Sequence, residues 1–283
     1  MTRLDHVTSA DAAELLRGTD LALLPIGATE QHGPHLAMGL DYLAAEWLAA
    51  RVAREVDCVV TPVIPVGFSR QWMAFPGTLS LRRETVAAVV DDLIKSLIHH
   101  GVDRVLIING HGRNSAILND LCLRIRYETG ALISHVDWFK IVHAHLDEVG
   151  LVRPAGNRPL AHASELETAV MLAIEAERSE RLVWMDRARV GRRDAVLFEG
   201  VDELEMAPAE TPISVRFEPF GGYFPSLGLD GTEHSDEGLL GDPTPATAET
   251  GARVLELVGG LIAQYAAALR KVPVTVHSRP DIY

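Results

Sequence analysis

Three short segments of this 283-residue chain gather carboxylates and imidazoles. The first, ATEQHGPHLAMGLD at 28–41, carries Glu30, His32, His35 and Asp41 directly after the apolar run LALLPIG. In an extended segment Glu30 and His32, two apart, project to the same side. Asp41 opens a helical pattern, where an N-cap and a ligand are competing readings. The second segment, NGHGRN at 109–114, presents His111 between glycines just beyond the run VLII, and glycines let backbone approach a ligand closely. The third, HASELETAVML at 162–172, places His162 and Glu165 three apart on one side of a first helical turn. There Ser164 and Glu167 match the S-x-x-E capping box, which accounts for Glu167 and leaves His162 and Glu165 unexplained. Taken singly, each segment reads equally well as solvated loop or helix cap. Together they supply Glu, His, Asp, His and Glu. Carboxylates and imidazoles without thiolates suit Zn, Mn or Fe, and a shared carboxylate can bridge two ions. Two ions roughly 3.5–4 Å apart can activate a water and polarise the bond it attacks. A P-loop is excluded because no GK[ST] follows the glycines, and a dinucleotide site because G-x-G-x-x-G is missing.

The elements that must position these residues alternate short apolar runs with helical patterns. Strands are expected at 21–27, 58–67, 103–110 and 131–139, and helices at 41–56, 83–101, 114–130 and from about 247 to the end of AAALRK. Pro62 and Pro65 make the second strand an edge or give it an irregular end. Glycine stops close the helices at 101 and 130. This alternation predicts βαβ units: an α/β fold, a three-layer α/β/α sandwich with a mostly parallel central sheet, as one domain over 1–283. In such sheets ligands bind beyond the carboxyl ends of the strands, where the first two clusters fall. Between about 185 and 245 the texture turns rich in Gly, Pro and acid, and reads as a loop-rich excursion with a short strand pair.

A formal net charge of −13 argues against nucleic-acid binding and against anionic membranes. A small-molecule substrate is the partner that remains. Cys58 and Cys122 lie in apolar contexts without CxxC spacing, as buried free thiols do in a reducing compartment. The N-terminus shows no signal-peptide pattern, and no apolar run reads as long enough to span a membrane, so a cytoplasmic protein is expected.

The ordered segments TEQHGPHLAMGLD, NGHGRN and HASELET resemble the creatininase family, whose pattern is E-Q-H-G-P-H-L with a following G-x-D, then N-G-H-G, then H-A-x-E-x-E-T. FPGTLSL at 75–81 and GDPTPATAETG at 241–251 are also similar, so the resemblance runs from about 20 to 260. It implies an α/β/α sandwich, two divalent metal ions per chain (Zn, Mn or Fe) and a homo-oligomer, usually a hexamer. By position it makes Glu30, Asp41 and His111 the ligands of one metal and His32, Asp41 and Glu165 those of the second, with Asp41 bridging. His162 and Glu165 then form the catalytic pair, His162 carrying a proton to the leaving nitrogen. His35 belongs beside the ligands or in the turn. Trp72, Phe75 and Trp138 are candidates to line the substrate pocket, although core packing explains aromatics as often. One position departs: creatininases proper carry a glutamate two residues after the histidine of N-G-H, and Arg113 stands there instead. Arg113 either contacts an anionic substrate or pairs with an acid such as Asp120 or Glu128. The resemblance implies a dinuclear amidohydrolase in which a metal-bridging hydroxide attacks an amide, lactam or formamide. The alternatives are a ring-opening hydrolase of a cyclic polyol ketone on the same site, and a non-catalytic metal or small-molecule binding protein.

Overall fold

A computed structural model describes residues 3–152, 160–190, 204–206, 215–217, 228 and 230–280. Its centre is a sheet of four parallel strands, β1 (Leu21–Ile26), β2 (Val59–Val60), β3 (Arg104–Asn109) and β4 (Leu132–Asp137), in the order β2-β1-β3-β4. β1 pairs with β3 from Leu21↔Arg104 to Ile26↔Asn109, and β3 with β4 from Arg104↔Leu132 to Asn109↔Asp137. The three strand ends are therefore level. β2 is short and lies at the edge, as its prolines require. Pro25 is tolerated inside a central strand because its carbonyl faces that edge, accepting from Ile64 N at 3.0 Å, so its missing N–H falls where the β1–β2 ladder has already ended.

The strands alternate their side chains between two cores. Leu21, Leu23, Leu106 and Ile108 enter one, with α2 (Leu40–Val52), α7 (Glu165–Glu177) and α9 (Ala248–Leu269). Ala22, Leu24, Ile26, Val105 and Ile107 enter the other, with α3 (Arg83–His99) and α4 (Ser115–Thr129), while Leu15 and Leu16 of α1 (Ser9–Gly18) pack at its margin. The result is the expected three-layer sandwich. The helices end close to where glycine stops them: Gly101 and Gly130 adopt φ of 100° and 81°. Short helices α5 (Trp138–Val142) and α6 (Leu146–Val149) follow β4 directly.

α9 differs from the expectation that no segment reaches membrane length. Among the described residues it is the one helix long and apolar enough to cross a bilayer by length and composition. It is a core helix all the same: Val254, Leu255, Val258, Ile262 and Ala266 are buried, and a Cβ on Gly251 would lie 1.9 Å from the Ala169 carbonyl oxygen of α7. The α7–α9 contact needs that bare glycine.

Much of the excursion at 185–245 lies outside the described residues. Within it stand an antiparallel pair, β5 (Leu204–Met206) with β6 (Val215–Phe217), and a single helical turn, α8 (Gly231–His234).

From β1 the chain turns outward to β2, whereas from β3 it turns the other way to β4. The connections diverge between β1 and β3, and this switch point opens a crevice at the carboxyl ends of both strands.

Candidate metal centre

The crevice is filled by the three polar segments. After Ile26 the chain runs through Gly27 to Glu30 and His32, loops back, and enters α2 with Asp41 in its first turn. The loop is held at both sides: Glu30 N donates to Met38 O at 3.0 Å, Gln31 N to Thr78 Oγ1 at 3.1 Å, and Leu79 N to Thr29 O at 2.9 Å. Two glycines let the N-terminus of α2 settle on the strand tips. A Cβ on Gly27 would lie 2.3 Å from Tyr42 N, and one on Gly110 would lie 1.9 Å from Asp41 O. Asp41 is thereby pressed onto the end of β3. There Asn109 accepts from His111 N at 3.1 Å and donates to His111 O at 2.8 Å and Asp137 Oδ1 at 2.7 Å. Asn114 ties the same turn to Gly27 O and Phe68 N, both at 3.1 Å.

Glu30, His32, Asp41, His111 and His162 come together, as the sequence predicts. The fifth expected ligand does not. Glu165 is fully buried as the first residue of α7, yet among the described residues it belongs to none of the groups able to hold a metal. Glu167 takes the expected place beside His32. Those groups are Glu30 with Asp41 and His111; His32 with Asp41 and Glu167; and Glu30 with His32 and His162. Sequence spacing misleads here because the turn before α7 is not regular. Ala163 has φ of +53°, the one non-glycine residue with positive φ among those described, and this swings the helix so that its third residue faces the crevice. The capping box expected from Ser164 and Glu167 is not made, and Ser164 N donates to Ala161 O instead. Ser164 has no side-chain cap bond, and Glu167 Oε2 reaches past it to accept from Ala163 N at 2.5 Å. Glu167 thus serves the turn and the site with one carboxylate, and only its cap role was legible in the sequence.

Each imidazole is oriented by a backbone carbonyl that takes its far N–H, leaving the other nitrogen's lone pair for the centre. His32 donates from Nδ1 to Glu30 O at 3.1 Å, so Nε2 faces Asp41 Oδ1 at 3.3 Å, Glu167 Oε2 at 3.8 Å and Glu30 Oε1 at 3.9 Å. His111 donates from Nε2 to Phe68 O at 2.9 Å, so Nδ1 faces Asp41 Oδ2 at 3.0 Å and Glu30 Oε1 at 3.4 Å. His162 donates from Nε2 to Gln31 O at 2.9 Å, and its Nδ1 lies 3.7 Å from Glu30 Oε1. Gln31 was not anticipated as a site residue. Its amide also contacts His162 Nε2 at 3.1 Å and accepts from Gly33 N at 2.9 Å.

Carboxylate oxygens and imidazole nitrogens therefore converge on one another. Glu30 Oε2, His32 Nε2 and Asp41 Oδ2 are buried with no hydrogen-bond partner. Such a cluster is costly unless cations or protons occupy it. The donor set of nitrogen and oxygen fits a borderline divalent ion. Protons respond to the same field. Burial alone would lower His32, but Asp41, Glu167 and Glu30 outweigh it and raise its pKa to about 9. His111 rises well above its usual value against burial because of Glu30 and Asp41. Burial would raise Asp41, and the two histidines hold it low instead. Burial pushes Glu167 up to about 7, with His32 opposing. His162 is driven well below the usual imidazole range by burial and by charge on His32.

The remaining predicted residues are placed as follows. His35 is buried beside the site, its Nε2 3.0 Å from Thr168 Oγ1, and burial followed by His32 lowers its pKa to about 4. Trp72 stacks on His162 with ring centroids 4.3 Å apart, His162 stacks on His32 at 4.3 Å, and Phe75 meets Trp72 edge-on at 5.8 Å. Trp138 is fully buried in the core behind β4, with an indole N–H that makes no hydrogen bond. Arg113 is half-buried and pairs with neither Asp120 nor Glu128. Glu128 is instead engaged by Lys95 at 2.8 Å and Arg124 at 4.0 Å.

A buried centre of carboxylates and imidazoles at the switch point of this sandwich defines a class, and comparison with known proteins places the chain in it. The family model described as "Creatininase: Creatinine amidohydrolase" matches residues 5–266. The chain belongs to the creatininase family. It is 32% identical to creatinine amidohydrolase of Pseudomonas putida over 216 residues, covering 71% of this chain and 79% of that protein. It is 29% identical to the mycofactocin precursor peptide peptidase of Mycolicibacterium smegmatis over 248 residues, covering 85% and 82%. Among solved structures, one titled "Creatininase Mn" superposes with a TM-score of 0.74 at 25% identity, covering 96% of this chain and 99% of that one.

Proposed function

We propose that this protein is a metal-dependent amidohydrolase that cleaves the C–N bond of a small non-peptide amide, lactam or formamide. Glu30, Asp41 and His111 would hold one divalent ion, and His32, Asp41 and Glu167 a second. The observation that carries this reading is Asp41, whose two carboxylate oxygens face different histidines, Oδ1 toward His32 and Oδ2 toward His111. One carboxylate placed between two ligand sets is how two ions are held close together. The ions would supply Lewis acidity toward the carbonyl and an activated water.

The chain itself supplies orientation and proton transfer. His162 keeps Nε2–H on Gln31 O, so Nδ1 is the nitrogen free to exchange a proton. Its burial between Trp72 and His32 keeps it neutral and able to accept one. Taking a proton from the attacking water and giving it to the departing nitrogen is general acid–base work worth about 10²–10⁴-fold.

The test joins metal analysis of protein purified without chelator to a hydrolysis screen over lactams, formamides, short peptides and cyclic ketones. Two ions per chain and turnover of C–N substrates other than peptides are expected. Fewer than one ion per chain would sink the metal-centre reading. Opening of cyclic ketones alone would assign C–C cleavage, and trimming of peptides alone would assign a peptidase like the mycobacterial relative.

A further inference from the structure

Beside the metal-ligand cluster, at the same carboxyl edge of the sheet, lies a second concavity with a different chemistry. It has a volume of about 510 Å³ and is lined by Arg83, Gly112, Arg113, Ser115, His135 and Lys140, among others. The turn from His111 to Arg113 connects the two places, since Gly112 and Arg113 follow His111 directly. Lys140 and His135 share one carboxylate, Asp137, at 2.9 Å and 3.9 Å. Arg83 and Arg113 share none. Among the described residues neither has a carboxylate within 4.0 Å, in a chain whose acids outnumber its bases 39 to 26. Arg83 lies over the Phe68 ring at 5.5 Å, and Phe68 is the residue whose carbonyl orients His111. Arg113 Nε is fully covered and makes no hydrogen bond. A covered N–H without a partner carries a desolvation cost, on a guanidinium that is otherwise half-buried. The nearby charges act oppositely on it, Glu30 attracting and Arg83 repelling. Ser115 and Ala116 add the amino end of α4, a 15-residue helix, to the same wall.

Two unneutralised arginines, a lysine and a helix amino end around one cavity form a receptor for an oxyanion, and arginine forks suit carboxylate and phosphate alike. We infer that the cavity of Arg83, Arg113 and Lys140 binds a carboxylate or phosphate group carried by the substrate, so that the amide hydrolysed at the metal centre belongs to an anionic molecule. This rests on the hydrolase reading above for the word substrate, but the oxyanion site itself does not. The geometry also gives a reason for Arg113 to stand where creatininases proper have a ligand glutamate: a cation there serves recognition.

The experiment separates the two. Binding of inorganic phosphate, and of 5-oxoproline against its uncharged counterpart 2-pyrrolidone, is measured by calorimetry on zinc-loaded and on chelator-treated protein. Phosphate should bind in both states, because the arginines need no metal. 5-Oxoproline should bind at least tenfold more tightly than 2-pyrrolidone. Arg113→Gln and the exposed Arg83→Gln should each weaken oxyanion binding by tenfold or more without changing metal content or 2-pyrrolidone affinity, and Arg113→Lys should restore part of it. Phosphate binding alone would assign the site to phosphate esters, and 5-oxoproline binding alone to carboxylates. Oxyanion binding that vanishes on metal removal yet survives both arginine variants would place the anion on the metals and overturn the inference. Binding that behaves as expected in a protein hydrolysing no amide would overturn the hydrolase reading and leave the oxyanion site standing.

Discussion

Gly110 and Asp41 meet so closely that a methyl group on Gly110 would stand 1.9 Å from the Asp41 carbonyl oxygen. The residue before His111 is thus the seat on which the first turn of α2 rests, and the approach of Asp41 to His111 is set by a missing side chain. Gly110→Ala must push α2 off the strand ends. A stability loss of about 3 kcal/mol is expected, near the upper end for overpacking. Metal content should fall with it, read by denaturant unfolding and elemental analysis of the same sample.

The placement of Glu167 rather than Glu165 makes a direct contrast. Glu167→Gln retains an oxygen for the Ala163 N–H but removes the charge beside His32. The protein should keep its fold and lose about one ion per chain. Glu165→Gln should keep both. Inductively coupled plasma analysis of the two variants decides, and equal metal loss in both would return Glu165 to the ligand set.

Asp41→Ala removes the carboxylate that faces both histidines. Both ions should be lost, and with them hydrolysis, while circular dichroism stays unchanged. Retention of two ions would refute the bridging role.

Protonation should oppose metal binding. Against burial, Asp41, Glu167 and Glu30 raise the pKa of His32 to about 9, so it carries a proton at pH 7 in the metal-free protein, and Glu30 and Asp41 raise His111 in the same direction. A ligand imidazole must be neutral, so loading the site releases protons, His32 giving up about one at pH 7, and affinity climbs with pH toward about 9. Calorimetry in buffers of different ionisation enthalpy counts the protons. The linkage to stability runs the other way. The raised value of His32 favours the folded metal-free protein fully below pH 6.5, and that contribution disappears as pH passes about 9; His111, also raised, acts in the same direction.

His35 gives the opposite limb. Its folded pKa of about 4 lies below the unfolded 6.5, so the native state refuses a proton that the unfolded chain accepts. Stability should be intact above pH 6.5 and decline toward pH 4, with a slope reaching about one proton. Unfolding midpoints of His35→Gln should show a shallower acid limb than the parent chain.

Much of this protein is readable from residue order alone. Strand ends, helix stops and the layered sheet follow from apolar periodicity and glycine placement, because those are local properties of the backbone. Glu30, His32, Asp41, His111 and His162 follow from motifs that stand at strand ends and helix starts. What local pattern could not supply are choices made by long-range contact. Glu167, and not Glu165, joins His32 and Asp41 at the crevice, where the αL residue Ala163 turns the start of the helix, and Glu167 resembles an ordinary cap when seen without the crevice. The tautomers of His162 and His111 depend on carbonyls of Gln31 and Phe68, which lie 131 and 43 residues away from the histidines they orient. Arg113, in the turn before α4, looks free to pair with Asp120 or Glu128, and only the packed molecule shows that it pairs with neither and that Lys95 and Arg124 engage Glu128. Sequence determined which groups are present and roughly where each segment ends; tertiary structure decided which way they face, because facing is set by what packs against them.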